Sequence, residues 1–250
     1  MDLKIDGHAV IVTGASRGLG AAIAQALVSD GAYVLAAARS VDPLDALAAE
    51  HPGKIVPVAC DMRDRDRVAE LVGSCVAEFG RVDAIVNNAG IAPAGRLVDT
   101  DLEILEETLA VNLMAPAALS KAAARYWIEE ARPGSVVNIS STSGLKGKAL
   151  LAGYSASKGA MVRMTEALSN EWARHQIRVN VVAPGAFETE AQAAVLQNPV
   201  ALEARLRKIP ARRMAHAEEI GPLVAYLVSP LSSFVTGSCF VIDGGEVARL

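Results

Sequence analysis

The stretch Thr13-Gly14-Ala15-Ser16-Arg17-Gly18-Leu19-Gly20 decides the fold of this 250-residue chain. It follows the apolar run HAVIVT at residues 8–13 and leads into a helical pattern at residues 19–30. Glycine lets the chain turn sharply and lets an anion approach the backbone, and the first turn of a helix offers free N–H groups. The spacing GxxxGxG differs from the general dinucleotide fingerprint GxGxxG, and three glycines alone are a weak signal. At the first strand-to-helix turn of an α/β chain, however, they predict a crevice for a dinucleotide.

Short apolar runs and longer helical patterns alternate along the rest of the chain. The predicted strands lie at residues 8–13, 33–38, 55–60, 83–88, 135–140, 178–183 and 239–243. The predicted helices lie at residues 19–30, 65–79, 103–130, 152–175 and 218–228, with further helix starts at Asp42-Pro43 and Asp64. This alternation predicts an α/β fold of the doubly wound Rossmann type, with a seven-stranded parallel sheet covered by helices on both faces.

One domain over residues 1–250 is expected, because no linker or change of composition divides the chain. The longest interruption of the pattern is at about residues 185–216, with a short helix predicted near 200–207. Irregular connections of this length are often lids over a substrate, although a plain surface excursion is the alternative.

Composition excludes several classes of function. The chain has 24 Lys+Arg against 28 Asp+Glu, a net charge of −4, so no basic surface for nucleic acid or anionic membrane is expected. No apolar run approaches the roughly 20 residues of a membrane span, and a cytoplasmic protein is expected. The three cysteines are scattered and the four histidines stand alone, so we expect buried, reduced thiols and no metal site.

Tyr154 and Lys158 are four residues apart in a helical pattern, so their side chains lie on the same helix face. Ser141 precedes them after a predicted strand. Together with the glycine stretch, these motifs resemble the short-chain dehydrogenase/reductase family. The resemblance also includes the segments Asn87-Asn88-Ala89-Gly90, Pro184-Gly185 and Asp243-Gly244-Gly245. It runs in order over nearly the whole chain and implies the sheet order 3-2-1-4-5-6-7.

The resemblance assigns a catalytic role to four side chains. Tyr154 is expected to be the general acid or base for a ketone and a secondary alcohol, with Ser141 at the substrate oxygen. A tyrosine phenol has a pKa of about 10, and a neighbouring ammonium such as that of Lys158 should lower it. The family resemblance implies that Asn112 holds a water that links Lys158 to solvent.

NADP(H) is the expected cofactor. An NAD-specific chain places an acidic residue near the end of the second strand, where this chain has Ala38-Arg39-Ser40. Arg39, and Arg17 in the glycine stretch, are therefore expected to bind the 2′-phosphate. The other cofactor contacts are expected at Gly14, Ser16, Gly18, Leu19, Gly20, Ser40, Asp61, Met62, Asn87, Gly90, Tyr154, Lys158, Pro184, Gly185, Phe187 and Thr189. Asn88 could be a cofactor contact or purely structural.

The substrate is left open. A small-molecule carbonyl or alcohol is expected, and a 3-oxoacyl thioester reductase fits the order of motifs. A sugar-acid or polyol dehydrogenase is the alternative, because Arg205, Arg207, Lys208, Arg212 and Arg213 could bind a carboxylate. Such cations more often form a solvated helix face than a carboxylate clamp. An epimerase and a non-catalytic NADPH-binding regulator are further alternatives.

A homotetramer is expected. The helical patterns at 103–130 and 152–175 carry more Ala and Leu than one buried stripe needs. The family resemblance implies that these two helices form the subunit interfaces.

Overall fold

Seven strands form one parallel sheet in the computed structural model, which describes residues 2–248. The strands are β1 (Ala9–Thr13), β2 (Tyr33–Ala38), β3 (Ile55–Ala59), β4 (Ala84–Asn87), β5 (Gly134–Ile139), β6 (Ile177–Pro184) and β9 (Cys239–Ile242). Their order across the sheet is β3-β2-β1-β4-β5-β6-β9. The predicted doubly wound fold and the predicted order are confirmed, with β9 as the seventh strand of the sheet.

Helices cover both faces of the sheet, and β1 shows how the two layers are built. All five residues of β1 are buried. Val10 and Val12 pack in a core with helices α1 (Gly18–Ser29), α2 (Asp42–Glu50) and α9 (Gly221–Val228). Ala9 and Ile11 point the other way, into a second core with α3 (Arg65–Phe79) and α5 (Ala115–Glu129). A strand that is buried on both faces has a continuous run of apolar residues. Such runs allowed the strands to be predicted from the sequence.

The predicted helix at 103–130 is interrupted in the structure. It consists of α4 (Leu102–Leu109), a π-helical turn (Ala110–Met114) and α5. At the end of the π turn, the N–H of Ala115 donates to the carbonyl of Ala110, one residue further back than in an α-helix. The helix predicted at 152–175 is α6 (Ala152–Trp172), followed by a 3₁₀ turn (Ala173–His175).

The 185–216 segment has more structure than the one predicted helix. It contains β7 (Phe187–Glu188), α7 (Ala193–Leu196), α8 (Pro199–Leu206) and β8 (Ala215–His216), and β7 pairs with β8. A small core of its own lies between these elements, built from Ala186, Ile209 and Met214 with Leu196, Leu202 and Leu206 against them.

The cysteines differ in part from the prediction. Cys60 and Cys75 are buried and free, whereas Cys239 is free but exposed, because alternate residues of the outer strand β9 face outward. Between residues 2 and 248, no cluster of His, Cys, Asp or Glu is arranged to hold a metal ion. In the same range, no helix has both the length and the apolar character needed to cross a membrane.

Candidate active site

A cavity of about 620 Å³ opens at the carboxyl ends of the strands. Such an edge is where open α/β sheets bind their ligands. Nearly all the predicted site residues line it: Gly14, Ser16, Arg17, Gly18, Leu19, Gly20, Arg39, Ser40, Asp61, Met62, Gly90, Ser141, Tyr154, Lys158, Pro184, Gly185, Phe187 and Thr189. Asn87 and Asn112 are not part of its lining.

The glycine loop forms one wall of the cavity. Gly14 and Gly18 have φ values of +66° and +56°, which favour glycine. A Cβ at Gly20 would lie 2.2 Å from the carbonyl oxygen of Gly14, so this position also requires glycine. Among the described residues, no side chain caps the N-terminus of α1, whose first residues Gly18, Leu19 and Gly20 line the cavity. The free N–H groups of this helix end fit a pyrophosphate.

The residues predicted to bind the 2′-phosphate lie at the end of β2 and in the glycine loop. Ala38, Arg39 and Ser40 line the cavity, and Arg39 is exposed. Arg17 reaches the same cavity from the glycine loop, but its Nη1 donates to the Oε2 of Glu190 at 3.0 Å. The structure therefore brings both predicted guanidinium groups to the cavity and gives one of them a carboxylate partner from the 185–216 segment.

Asp61 and Arg63 form the wall beyond β3. The Nε of Arg63 lies 3.1 and 3.0 Å from the two carboxylate oxygens of Asp61. These hydrogen bonds from Arg63 hold the pKa of Asp61 below its usual range. The Nη1 of Arg63 also lies 3.5 Å from Glu107, which lines the cavity as well. Sequence reasoning missed Arg63 and Glu107; the only available signal was a cation two residues after Asp61.

Ser141, Tyr154 and Lys158 meet at the far end of the cavity. Ser141 follows β5, and its Oγ accepts a hydrogen bond from the N–H of Ser143 at 3.1 Å. Tyr154 and Lys158 occupy successive turns of α6, and the Lys158 Nζ lies 5.9 Å from the centre of the Tyr154 ring. The Lys158 Nζ also donates to the carbonyl of Ile139, the last residue of β5, at 2.7 Å. This bond ties α6 to the strand that positions Ser141.

The pKa of Tyr154 differs from the predicted direction. Burial raises it above its ordinary value, and a hydrogen bond with Ser141 opposes that shift. Burial also lowers the pKa of Lys158 to about 8, since its ammonium is almost completely enclosed. Desolvation thus outweighs the hydrogen bond with Ser141, and Tyr154 keeps its proton at neutral pH. A protonated phenol is suited to donate a proton.

Asn112 lies in the π turn and behind the cavity wall. Its Oδ1 accepts from the N–H of Ile91, and its Nδ2 donates to the Ile91 carbonyl, both at 2.8 Å. The Nδ2 also donates to the Oγ of Ser157 at 3.1 Å. Asn112 therefore joins the segment after β4 to α6. Its Oδ1 and the Lys158 Nζ would lie 3.2 and 3.4 Å from a Cβ at Gly90, so both groups lie just behind that glycine.

The two asparagines at the end of β4 differ in where their side chains lie. The side chain of Asn87 donates to Ser120 and Asn138 inside the protein, at 3.1 and 2.8 Å, and turns away from the cavity. Asn88 lines the cavity, and its Nδ2 donates to the carbonyls of Thr13 and Gly14 at 2.9 and 3.1 Å. Asn87 is the last residue of β4 and its side chain is buried, whereas Asn88 lies just beyond the carboxyl end of the strand, where the cavity opens.

The start of the 185–216 segment closes the remaining side. Gly185 packs closely against Asp243. A Cβ at position 185 would lie only 2.6 Å from the Cβ of Asp243, so no larger residue fits at this position. Thr189 contacts the glycine loop at Gly18. Its Cγ2 lies 3.5 Å from the position that a Cβ on Gly18 would take. The next three residues, Glu190, Ala191 and Gln192, line the cavity too and were not predicted.

The cations near α8 do not form a carboxylate clamp. Arg205 forms a half-buried pair with Glu246, with 2.6 Å between Nη2 and Oε2. Arg207 pairs with Glu203, and Arg213 pairs with Glu219. None of the five predicted cations, Arg205, Arg207, Lys208, Arg212 and Arg213, belongs to the lining of the cavity described above.

Comparisons with known proteins extend over nearly the full chain. A family model described as enoyl-(acyl carrier protein) reductase matches residues 14–246. The chain is 36% identical over 248 residues to the 3-oxoacyl-[acyl-carrier-protein] reductase of Thermotoga maritima, covering 98% of this chain and 100% of that protein. It is 35% identical over 248 residues to the L-xylulose reductase of Bos taurus, covering 99% and 100%.

A similar solved structure contains a nucleotide. It is a provisional 2-deoxy-D-gluconate 3-dehydrogenase of Agrobacterium tumefaciens with bound NADP. The TM-score is 0.92 at 33% sequence identity, and the match covers 99% of each chain. The match therefore spans the sheet and the 185–216 segment together.

Proposed function

Because the chain belongs to the short-chain dehydrogenase/reductase family, we propose that it is an NADP(H)-dependent oxidoreductase that interconverts a ketone and a secondary alcohol. The observation that carries this proposal is the grouping of Ser141, Tyr154 and Lys158 at one end of the cavity that begins at the glycine loop. A proton donor and a dinucleotide cradle in one cavity are the two components that this reaction needs.

The cavity fits NADP(H). The N–H groups at the start of α1 would hold the pyrophosphate, and Arg39 and Arg17 would bind the 2′-phosphate. Asp61 would face the adenine, while Phe187 and Thr189 would lie beside the nicotinamide. When bound, this cofactor would supply the hydride in reduction and accept it in oxidation. The bound NADP of the related Agrobacterium tumefaciens protein supports the assignment.

Side chains of this protein carry out the proton transfer. In reduction, the Tyr154 hydroxyl donates to the oxygen of the ketone, and in oxidation it takes the proton back. Ser141 orients the same oxygen through its Oγ, which lies at the end of β5. Lys158 stabilises the phenolate that remains after proton transfer. We further propose that Asn112 keeps a water relay open behind Gly90, because its amide fixes the backbone of Ile91 and the Ser157 hydroxyl of α6.

Two substrate classes remain under this proposal. The relative that reduces 3-oxoacyl groups supports a 3-oxoacyl thioester, and the relative that reduces L-xylulose supports a ketose or polyol. A sugar acid is less favoured, because Arg205, Arg207 and Arg213 each have a carboxylate partner from this chain.

Steady-state assays with a substrate panel test the function. We expect NADPH oxidation with an acetoacetyl thioester or with L-xylulose, at a higher kcat/KM than with a keto-gluconate. Tight NADPH binding without turnover of any ketone would contradict the proposal and favour a regulator. Formation of product isomers without net NADPH consumption would instead indicate an epimerase.

The rate of reduction is expected to fall as the pH rises through about 8. Burial lowers the pKa of Lys158 to about 8, so its ammonium is present below that pH and is lost above it. Loss of the charge removes the group that stabilises the phenolate. The pKa of Tyr154 is raised, so its own ionisation cannot explain a decline near pH 8. A pH profile of kcat/KM checks this, and a constant rate up to pH 10 would contradict it.

A homotetramer is proposed as the working assembly. Leu102 and Ile104 on α4, Met114 in the π turn and Ile128 on α5 are apolar and 39–64% exposed in the single chain. Burial of such residues between subunits removes apolar surface from water. Light scattering at micromolar concentration should give a mass four times that of the chain. A monomeric mass would show that this surface is not covered by other copies.

The 185–216 segment is proposed to act as a lid. Its first residues line the cavity. Phe187 and Ala215, near its two ends, pack in a core of the sheet, whereas the part around α7 and α8 has a small core of its own. The α7–α8 part can therefore move while Phe187 and Ala215 stay packed on the sheet. Burial of substrate under the segment would exclude water from the reacting groups.

A further inference from the structure

An ion pair crosses the mouth of the cavity from the glycine loop to the 185–216 segment. The Nη1 of Arg17 lies 3.0 Å from the Oε2 of Glu190. Both residues line the cavity, and their side chains are 71% and 69% exposed. The pair therefore lies within reach of solvent and of any ligand that enters the cavity.

The backbone of Glu190 is positioned by the turn it begins and by its neighbour in the chain. It begins the 3₁₀ turn Glu190–Gln192 that follows β7, and it directly follows Thr189. Thr189 in turn packs beside Gly18 on the glycine loop. The 185–216 segment is thus joined to the glycine loop by two consecutive residues, one through a van der Waals contact and one through opposite charges.

The carboxylate of Glu190 and a phosphate would compete for the same guanidinium. Exposed ion pairs contribute little to stability, because water screens both charges and two long side chains must be ordered. A phosphate carries more charge than a carboxylate, and its oxygens match the guanidinium fork. Arg17 can therefore leave Glu190 for a phosphate, but the bond to Glu190 must first be broken.

We propose that Glu190 is a specificity-determining residue that weakens the binding of NADP(H), and not of NAD(H), by competing with the 2′-phosphate for Arg17. This inference rests on the proposed function, in which Arg17 binds that phosphate. Its consequence is that cofactor binding and the position of the 185–216 segment are linked, since Arg17 releases Glu190 when it binds the cofactor.

The variant Glu190→Gln tests the proposal by direct binding of NADPH and NADH, measured calorimetrically on the full chain. We expect the Kd for NADPH to fall about two- to fivefold, the range that one exposed pair can account for. The Kd for NADH should stay the same, because NADH has no 2′-phosphate. Glu203→Gln is a matched control: Glu203 pairs with Arg207 on the same segment at similar exposure and lies outside the cavity lining.

Two further variants separate failure of this inference from failure of the proposed function. Arg17→Leu should weaken NADPH binding, and adding Glu190→Gln to it should have no further effect, because Glu190 acts through Arg17. If Arg17→Leu weakens NADPH binding while Glu190→Gln alone changes nothing, only the competition is disproved. If Arg17→Leu leaves NADPH binding unchanged, the role of Arg17 in the proposed function is wrong. An equal change for NADPH and NADH in Glu190→Gln would mean a structural role and would also overturn the proposal.

Discussion

Replacing Tyr154 with phenylalanine should lower kcat by about 10²–10⁴-fold, the usual contribution of a general acid or base. The change removes one hydroxyl and keeps the ring, so the packing around residue 154 on α6 is preserved. It leaves the glycine loop and Arg39 untouched, and the Kd for NADPH should remain close to that of the unmodified enzyme. Steady-state kinetics together with a binding titration will separate the two effects.

Tyr33→Phe provides the matched control for this substitution. Tyr33 begins β2, stacks on Phe79 with ring centres 5.3 Å apart, and lies outside the cavity lining. Loss of its hydroxyl should leave kcat nearly unchanged. Near-normal turnover of Tyr154→Phe would mean that another group transfers the proton.

The double substitution Ala38→Asp/Arg39→Leu should shift cofactor preference from NADPH towards NADH. Asp at position 38 would repel the 2′-phosphate and could accept hydrogen bonds from the ribose hydroxyls of NADH. Loss of the charge-assisted contact from Arg39 should cost about 1.5–3 kcal/mol, or roughly ten- to a hundredfold in kcat/KM for NADPH. Arg17 should leave some residual affinity for NADPH.

The measurement is kcat/KM for both cofactors in the original enzyme and in the variant. Arg125→Leu is a suitable control, because Arg125 is an exposed arginine on α5 that pairs with Glu129 away from the cavity. Equal use of NADH and NADPH by the original enzyme would show that Arg39 faces solvent and that the end of β2 does not select the cofactor.

The sheet could be predicted because its strands are buried on both faces and have clear ends. The helix α3 was predicted to the residue, since Asp64 caps its first turn and Gly80 ends it in the left-handed region. The π turn could not be predicted. Its buried residues, Val111 and Asn112, continue a spacing that an ordinary helix would also show.

The sequence predicted which residues belong to the site better than it predicted where their side chains point. Motifs identified Ser141, Tyr154 and Lys158, which the structure brings together. They could not say that Asn87 turns inward while Asn88 reaches the cavity, because that depends on the residue at which β4 ends. Nor could the sequence pair Arg17 with Glu190, because these residues are 173 positions apart in the chain and meet only in the folded protein.

The pairing of β7 with β8 places Phe187 beside Ala215. The two ends of the 185–216 segment are therefore adjacent in space. Closing a flexible loop costs only about 0.6 kcal/mol more for each doubling of its length. Insertions or deletions between these two strands should therefore be tolerated by the rest of the fold. We therefore expect the proposed lid to be exchangeable as a module, for other substrates, while the glycine loop and the helix that carries Tyr154 are retained.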